Sequence, residues 1–306
     1  MNPLPLLLAL LALALAPLSR AGLTSDIEYA HPGNVSLKLD ACTPDGPGPF
    51  PAAILVHGGG WSSGNKTTEI SPLFAPLTKA GIVWFSVDYR LAPDYRYPAC
   101  VEDVETAVRW VKAHAAQFHV DPARLALVGE SAGGEIVDMV AVRATPDHPD
   151  TRVAAVVAFY APCDNLADTQ RRGGPSKSMQ QLLGIPAGVP LSNTTLQALH
   201  DVSPIFFVSK NLPPYLLVHG TADQSVPYDQ SLQWQAKLRV LGVPCDLITI
   251  KDGPHVMGRW ENLDPSYKDK TAAWLATHLA YPSKSTARRH LLASDTPLFN
   301  QPAAIY

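Results

Sequence analysis

The sequence predicts an α/β protein with a mostly parallel, doubly wound β-sheet. Apolar runs of strand length alternate with segments whose apolar residues recur at helical spacing. Such alternation requires crossover connections and therefore favours parallel strands. The runs are almost continuously apolar, as expected for strands that are covered on both faces of the sheet. In an open sheet of this kind, the ligand site lies at the carboxyl ends of the strands.

The elements follow in a regular order along the chain. Residues 27–29 and 35–39 predict an antiparallel edge, because the second segment alternates apolar and polar positions. Six apolar runs predict the buried strands: "PAAILVHGG", "GIVWFSVDYR", "RLALVG", "VAAVVAFYAP", "YLLVHG" and "CDLITI". Helical patterns predict a helix after Pro98 and helices over 132–142, 227–241 and 265–279.

Composition excludes some classes of partner. The chain has 306 residues, a hydrophobic fraction of 46% and a formal net charge of −3, which suits one large globular domain or two small ones. There is no basic footprint, so nucleic acid is not an expected partner. Four cysteines occur without a C-x-x-C pair, which argues against zinc or dithiol chemistry.

The N-terminus predicts export. Residues 3–18 read "PLPLLLALLALALAPL", an apolar stretch too short to span a bilayer comfortably, which takes about 20 residues. Ser19 and Ala21 supply the small residues of a signal-peptidase site. We therefore expect residues 1–21 to be a signal peptide cleaved after Ala21, and the protein to be extracellular or periplasmic without stable membrane insertion. An uncleaved anchor is the alternative.

Secretion has two consequences for the chain. In an oxidising compartment the cysteines could form two bridges, with three possible connectivities among Cys42, Cys100, Cys163 and Cys245. In a eukaryotic secretory pathway, Asn34, Asn65 and Asn193 begin glycosylation sequons.

The mature chain predicts one catalytic domain with two additions. Residues 22–282 carry the alternating pattern, interrupted by a Gly-, Pro- and Ser-rich segment over about 163–212. A connection this long is usually a functional lid or a disordered insert, and we expect a short, partly helical cap over the site. Residues 283–306 show no clear period and are expected to lie outside the core.

One motif predicts a nucleophile. Ser131 occupies the centre of Gly129-Glu130-Ser131-Ala132-Gly133, between a predicted strand and a predicted helix. In this G-x-S-x-G context the serine lies on a strained turn, and glycines two residues to either side avoid clashes. The bland interpretation is a tight strand-to-helix turn that happens to contain a serine. The flanking strand and helix favour a nucleophile elbow.

A second motif predicts donors for a developing oxyanion. Three consecutive glycines after His57 leave backbone N–H groups unshielded at a strand end. A phosphate-binding loop is a poor alternative, because neither Lys-Ser/Thr nor G-x-G-x-x-G spacing is present. His57 itself is expected to order the glycine loop.

Two further residues complete a candidate triad. Asp223 and His255 each follow a predicted strand, and the chain order Ser131, Asp223, His255 is that of the α/β-hydrolase triad. His255 would accept the Ser131 proton, and Asp223 would orient the imidazole.

Several nearby polar residues are rival candidates. Asp252 and Asp164 could compete for the acid role, but a partner from a separate loop favours Asp223 over Asp252, and Asp164 begins the insert. His219 is interpreted as a packed, hydrogen-bonded histidine and Glu130 as a supporting or structural group. Asp88 and Arg90 are expected to form a structural ion pair: the pair lies near a strand end, where polar groups need partners.

The blocks "VHGGGW", "DYRLAPDYRYPACVEDVETAVRWV" and "GESAGG" resemble the hormone-sensitive-lipase-like branch of the α/β-hydrolases over residues 52–279. The resemblance implies an eight-stranded sheet and a carboxylic ester hydrolase that needs no cofactor. It also implies an oxyanion hole formed by Gly59, Gly60 and the Ala132 N–H, with Gly58 as a possible replacement for one of the two glycines.

The acid loop departs from that branch. "HGTADQSVP" lacks the Asp-Pro-Leu of the branch and resembles the loop of secreted feruloyl and acetyl-xylan esterases and of prolyl-peptidase-like hydrolases. Kynurenine formamidases share the H-G-G-x-W loop. We therefore expect a secreted serine esterase acting on short-acyl or aromatic esters, small or polysaccharide-linked. The alternatives are an amide or peptide hydrolase of the formamidase or prolyl-peptidase type, and a binding protein on an inactive hydrolase fold.

Overall fold

One sheet organises the molecule. The computed structural model describes residues 22–145 and 148–281. Eight strands pair in the order β1-β2-β4-β3-β5-β6-β7-β8, which confirms the predicted eight-stranded sheet. The strands are β1 (Gly22–Ala30), β2 (Leu37–Thr43), β3 (Phe50–Val56), β4 (Val83–Val87), β5 (Val120–Glu130), β6 (Ala155–Phe159), β7 (Tyr215–Gly220) and β8 (Cys245–Ile250).

Strand direction matches the prediction as well. β1 pairs antiparallel with β2, and β2 pairs antiparallel with β4. The other five neighbouring pairs are parallel. In the β3–β5 register Val56 lies opposite Gly129, so the glycine loop after β3 leaves the sheet beside the turn after β5. The two sequence motifs therefore meet at one edge.

Helices cover both faces of the sheet. Within the described residues, five of them lie outside the long connection between β6 and β7: α1 (Phe74–Lys79), α2 (Ala99–Ala113), α3 (Ala132–Arg143), α7 (Asp229–Val240) and α8 (Tyr267–His278). The helix predicted after Pro98 begins at Ala99, since proline is tolerated where the first N–H groups have no partner in the helix. The sequence does not predict α1, which has only six residues and contains Pro76.

The core is divided by the sheet into two apolar clusters. Ile54 and Val56 pack into one cluster, while Ala53 and Leu55 pack into the other. All four side chains are fully buried. Because successive residues of a strand face opposite sides, a strand buried on both faces reads as continuously apolar.

The long segment between β6 and β7 contains three short helices: α4 (Asn165–Arg172), α5 (Lys177–Leu183) and α6 (Asn193–Asp201). Side chains of Asp164, Ser176 and Ser192 accept the N–H groups that open these helices. The Tyr97 N–H donates to the Leu182 carbonyl at 3.1 Å, which ties α5 to the loop before α2.

Arg90 pairs with a different acid from the one predicted. Its guanidinium contacts the buried carboxylate of Asp103 on α2 at 2.7 Å, and its backbone N–H donates to the same carboxylate at 2.8 Å. Asp88 accepts the Lys66 backbone N–H at 2.7 Å instead. The expected Asp88–Arg90 pair is wrong because Asp103 offers Arg90 both side-chain and backbone hydrogen bonds.

The four cysteines are free thiols in the structure, so none of the three possible connectivities forms. The Cys163 thiol donates to the Gln230 carbonyl at 3.1 Å, and Cys100 is buried within α2. Burial raises the pKa of Cys100 well above its ordinary value, which disfavours the reactive thiolate.

Two predictions concern residues beyond the described chain. The signal peptide over 1–21 and the extension over 283–306 lie outside the described residues. Over 22–145 and 148–281, no helix is both long and apolar enough to cross a membrane. Asn34, Asn65 and Asn193 are all exposed.

Candidate active site

Ser131 lies on a strained turn between β5 and α3. Its φ of 52° and ψ of −118° belong to a region that residues with a side chain rarely adopt. The Ser131 N–H donates to the Phe159 carbonyl of β6 at 2.9 Å, which fixes the turn to the neighbouring strand. Strain of this kind persists only where the surroundings hold it, and it brings the serine side chain to the cavity above the sheet.

The flanking glycines are required by close approach of the backbone. A Cβ on Gly129 would lie 2.1 Å from the Gly133 carbonyl oxygen. A Cβ on Gly133 would lie 2.2 Å from the Val56 carbonyl oxygen. Both distances are far inside van der Waals contact, so the G-x-S-x-G pattern reflects the packing of this turn against β3.

Three side chains form a chain of hydrogen bonds across the carboxyl ends of the strands. The Ser131 hydroxyl donates to His255 Nε2 at 2.9 Å. His255 Nδ1 donates to Asp223 Oδ2 at 2.6 Å. The serine and the histidine are 124 residues apart in the sequence, so the sheet topology alone brings them together. The sequence-predicted Ser131, Asp223 and His255 therefore converge.

Asp223 is held by four donors. The Ser225 and Val226 N–H groups donate to its Oδ1 at 2.8 and 2.9 Å. His219 Nε2 lies 3.3 Å from Oδ2, beside the contact with His255. Burial alone would raise the pKa of Asp223, but the hydrogen bonds from His219 and His255 outweigh it and hold that pKa well below its ordinary value. The carboxylate is thus ionised and can orient the imidazole and stabilise its protonated form.

His219 supports the acid loop. The Ser231 hydroxyl lies 2.7 Å from its Nδ1, and its Nε2 lies 3.0 Å from the Val226 carbonyl. Since Nε2 faces a carbonyl and the carboxylate of Asp223, it carries a proton and donates. His219 is therefore the packed, hydrogen-bonded histidine that the sequence predicts, with an added contact to Asp223 that it does not predict.

An aromatic residue braces His255. The Tyr160 ring meets the His255 ring edge to face, with centroids 4.6 Å apart. The Tyr160 hydroxyl accepts the Met257 N–H at 3.1 Å. Trp260 Nε1 donates to the Pro254 carbonyl at 2.8 Å, which closes the loop around the histidine.

The glycine loop presents two backbone amides beside Ser131. Gly59 and Gly60 have φ values of 103° and 60°, and both line the same cavity as Ser131 and Ala132. Within 22–145 and 148–281, no group accepts a hydrogen bond from either glycine N–H. The Ala132 N–H opens α3, where the first N–H groups lack a partner in the helix.

Gly58 does not share this role. Its N–H donates to the buried carboxylate of Glu130. That contact occupies the Gly58 N–H, whereas those of Gly59 and Gly60 have no acceptor within the described residues. Burial, helped by the negative charge of Glu69, raises the pKa of Glu130 to about 7.

His57 and Tyr89 hold the glycine loop in place through ring stacking and hydrogen bonds. The His57 ring stacks on Tyr89 with centroids 4.3 Å apart, and its Nδ1 donates to the Gly58 carbonyl at 2.7 Å. The Tyr89 hydroxyl donates to the His57 carbonyl at 3.0 Å. Burial lowers the pKa of His57 to about 4, so it is a neutral donor at physiological pH.

Comparisons with known proteins show the family of the chain. The BD-FAE family model matches residues 39–238, which include the strands and turns that hold Ser131 and the glycine loop. The chain belongs to the BD-FAE family. Its resemblance to α/β-hydrolases of the hormone-sensitive-lipase-like type is thereby confirmed.

Named relatives of this BD-FAE family member are esterases. The chain is 31% identical over 231 residues to "Probable carboxylic ester hydrolase LipM" of Mycobacterium tuberculosis, covering 69% of this chain and 52% of LipM. It is 31% identical over 204 residues to "Esterase LipC" of the same organism, covering 63% of this chain and 49% of LipC. The chain thus spans about half the length of these curated relatives.

Solved structures share the fold. An acetyl ester-xyloside bifunctional hydrolase from Caldicellulosiruptor lactoaceticus is 25% identical, with a TM-score of 0.68 over 86% of this chain and 98% of the other. A truncated carbohydrate esterase from gut microbiota gives a TM-score of 0.74 at 24% identity, over 85% of this chain and 96% of the other, and shows the fold alone.

A cavity of about 470 Å³ opens above Ser131 in this BD-FAE family member. Polar groups from α4 and from the acid loop line it, together with Trp61, Pro162 and Met179. A volume in this range suits a small or single-ring ligand. A Cβ on Gly60 would lie 2.7 Å from Ser178 Oγ, so α5 sits directly against the glycine loop.

The rival acids are occupied elsewhere. Asp164 accepts the Ala167 N–H at 2.8 Å and caps α4. The Asp252 side chain is exposed, and its backbone N–H donates to Thr221 Oγ1 at 2.8 Å; the acid that contacts His255 Nδ1 is Asp223. Over the described ranges, no group of three or more His, Cys, Asp or Glu side chains is arranged to hold a metal ion.

Sequence reasoning missed two contacts that shape the site. Arg172 of α4 donates to the Ser225 carbonyl, which joins the cap segment to the acid loop. Glu130 holds Gly58 although the two are 72 residues apart. No local pattern signals the first contact; the second has a weak signal, a carboxylate directly before the motif serine.

Proposed function

We propose that this protein is a serine hydrolase that cleaves carboxylic esters through an acyl-enzyme. The observation that carries the proposal is the hydrogen-bonded chain from Ser131 through His255 to Asp223, with contacts of 2.9 and 2.6 Å. Membership of the BD-FAE family and likeness to named esterases support it.

The hydrogen-bonded chain of Ser131, His255 and Asp223 is arranged for acylation of the serine. Ser131 Oγ attacks the ester carbonyl carbon as its proton moves to His255 Nε2. The carbonyl oxygen becomes an anion and accepts hydrogen bonds from the N–H groups of Gly59, Gly60 and Ala132. When the tetrahedral intermediate collapses, the bond to the alcohol oxygen breaks and His255 returns the proton to that oxygen.

Deacylation repeats the steps with water. His255 accepts a proton from a water molecule, whose oxygen attacks the acyl carbon. Collapse releases the carboxylic acid and gives the proton back to Ser131 Oγ. Asp223 stays ionised throughout, holding the Nδ1 proton and stabilising the imidazolium.

The substrate of the proposed enzyme is a short-acyl or aromatic ester, either a small molecule or an ester linked to a polysaccharide. The cavity of about 470 Å³ supports a compact acyl group. A solved structure that shares the fold is named for acetyl ester and xyloside hydrolysis, which supports testing acetylated carbohydrate.

Substitution of Ser131 tests the proposal. Ser131→Ala should lower kcat/KM for p-nitrophenyl acetate by at least about 1,000-fold, because the nucleophile is lost. Ser209→Ala is a matched control, since Ser209 lies exposed in the loop before β7. Wild-type activity in Ser131→Ala would refute the mechanism. Faster turnover of N-formylkynurenine or a prolyl peptide than of every ester would reassign the enzyme to amides.

We also propose that the protein is secreted after cleavage behind Ala21. The apolar stretch over 3–18 and the small residues Ser19 and Ala21 support this. N-terminal sequencing of the exported protein should begin at Gly22. Recovery of a membrane-bound form that still starts at Met1 would favour the uncleaved anchor.

A further inference from the structure

Helix α4 turns one polar face toward the catalytic cavity. Asn165, Asp168, Thr169 and Arg172 all line the cavity. They are spaced by three, one and three residues, which places them on one side of a helix. A cavity built only for an apolar acyl chain would not need four polar side chains on one wall, so this face calls for a separate explanation.

The two charged members of this face satisfy each other. Arg172 Nε donates to Asp168 Oδ2 at 2.6 Å, and another guanidinium nitrogen donates to the Ser225 carbonyl. Arg171 donates to the second oxygen of Asp168 at 2.6 Å. On the cavity wall itself the charges of Arg172 and Asp168 offset each other, and the one excess positive charge belongs to Arg171, which does not line the cavity.

Asn165 keeps one polar atom unused. The residue is only 4% exposed. Its side-chain nitrogen donates to the Val202 carbonyl at 2.6 Å, which fixes the orientation of the amide. In the part of the chain that the structure describes, nothing donates to its Oδ1. Oδ1 is therefore an acceptor without a protein donor, on a residue of the cavity wall.

Thr169 keeps its hydroxyl unused. The residue is 3% exposed and lies one turn after Asn165 on the same cavity wall. Helical threonines often donate to the carbonyl four residues earlier. Thr106 does so to Glu102 at 2.8 Å, whereas the Thr169 hydroxyl bonds to no residue within 22–145 and 148–281. A ligand group that replaces water at this hydroxyl and pairs with it gains about 0.5–1.5 kcal/mol, the net value of a neutral hydrogen bond.

We propose that Asn165 and Thr169 form a subsite that binds a hydroxyl group of the substrate. A hydroxyl can donate to Asn165 Oδ1 and accept from the Thr169 hydroxyl, and it carries no charge. The subsite makes the enzyme select esters with a hydroxyl in the acyl or alcohol part over the same esters without it. This inference rests on the proposed esterase function, because it needs a bound ester.

Paired substrates and one isosteric substitution test the subsite. Ethyl acetate with 2-hydroxyethyl acetate probes a hydroxyl in the alcohol; ethyl butanoate with ethyl 3-hydroxybutanoate probes one in the acyl group. For each pair, the readout is the ratio of kcat/KM between the hydroxylated and unhydroxylated ester. In the wild type we expect this ratio to exceed about five in at least one pair, the worth of a neutral hydrogen bond in a buried site.

Two variants of Thr169 distinguish the effect of its hydroxyl group from the effect of its side-chain shape. Thr169→Val keeps the branched side chain and should bring the ratio close to one. Thr169→Ser keeps the hydroxyl and should preserve the wild-type ratio, provided that circular dichroism shows both variants folded. The pair in which the ratio collapses identifies the side of the ester that reaches α4.

The outcomes test the hydroxyl subsite separately from ester hydrolysis by Ser131. A wild-type ratio near one in both pairs, or an unchanged ratio in Thr169→Val, overturns the subsite while Ser131-dependent ester hydrolysis stands. Ester hydrolysis that persists in Ser131→Ala overturns the proposed function itself.

Discussion

The N–H of Gly58 donates to the buried carboxylate of Glu130, the residue directly before Ser131. This single contact joins the glycine loop after β3 to the turn after β5. It uses the amide of Gly58, whereas the N–H groups of Gly59 and Gly60, two residues of the cavity wall, have no acceptor among the described residues. The position of the proposed oxyanion hole relative to the proposed nucleophile thus depends on Glu130.

Glu130→Gln should affect activity in a pH-dependent way. Burial raises the pKa of Glu130 to about 7, so the wild-type group is mostly neutral at pH 6 and mostly charged at pH 8. The charged form makes a stronger hydrogen bond to Gly58 and favours the imidazolium that forms on His255. We expect kcat/KM of the variant to fall about tenfold at pH 8 and much less at pH 6. An equal loss at both pH values would contradict this role.

Asp223→Asn should cost about 10³- to 10⁴-fold in kcat. The amide would not stabilise the imidazolium, and its NH₂ group would favour the wrong tautomer of His255. Asp252→Asn is a matched control because Asp252 lies close to His255 in sequence but is exposed. Steady-state kinetics on p-nitrophenyl acetate measure both. A larger loss in Asp252→Asn than in Asp223→Asn would reverse the assignment of the acid.

Gly133→Ala should destabilise the fold by about 3 kcal/mol or more, because overpacking against fixed backbone forces the turn to shift. The new Cβ would lie 2.2 Å from the Val56 carbonyl oxygen and 2.4 Å from that of His57. Gly174→Ala adds the same methyl group where nothing lies within 4 Å. Urea denaturation compares the two variants, and similar stabilities would show that the elbow tolerates a side chain.

Glu135 should make the fold less stable as pH rises. Burial raises the pKa of Glu135 to about 8, although Trp61 Nε1 donates to it at 2.9 Å. Its folded-state pKa exceeds its unfolded value, so its contribution is complete below about pH 4.5 and is lost as pH rises through 8. The slope is about 1.4 kcal/mol per pH unit within that window.

Glu135→Gln should remove this contribution to the pH dependence of the free energy of unfolding, measured by urea denaturation between pH 5 and 8. Glu102→Gln, an exposed site on α2, controls for the loss of one acidic group. An identical slope in wild type and Glu135→Gln would show that Glu135 is ionised in the folded protein.

Much of the fold was predictable because its signals are local. Apolar runs and helix-start residues lie within single elements, and Pro98 before Ala99 is an example. The convergence of Ser131, Asp223 and His255 was also predictable, since each follows a strand and parallel strands end at one edge. Six-residue α1 escaped prediction because a short helix with an internal proline has no clear period.

The contacts that escaped prediction join distant segments. Arg90 could pair with several nearby acids in the sequence, and only the docking of α2 selects Asp103. The polar face of α4 reads as an ordinary solvated helix, with two adjacent arginines at its end. The burial of this face depends on how the segment between β6 and β7 packs over the sheet, and the sequence of α4 alone does not indicate that packing.

Active-site labelling tests the central claim most directly. Folded wild-type protein treated with a fluorophosphonate probe should gain one adduct, and peptide mapping should place it on Ser131. Both Ser131→Ala and His255→Ala should fail to label at the same probe concentration. Absence of an adduct on folded wild-type protein, or an adduct on another serine, would contradict the proposal that Ser131 is the nucleophile activated by His255.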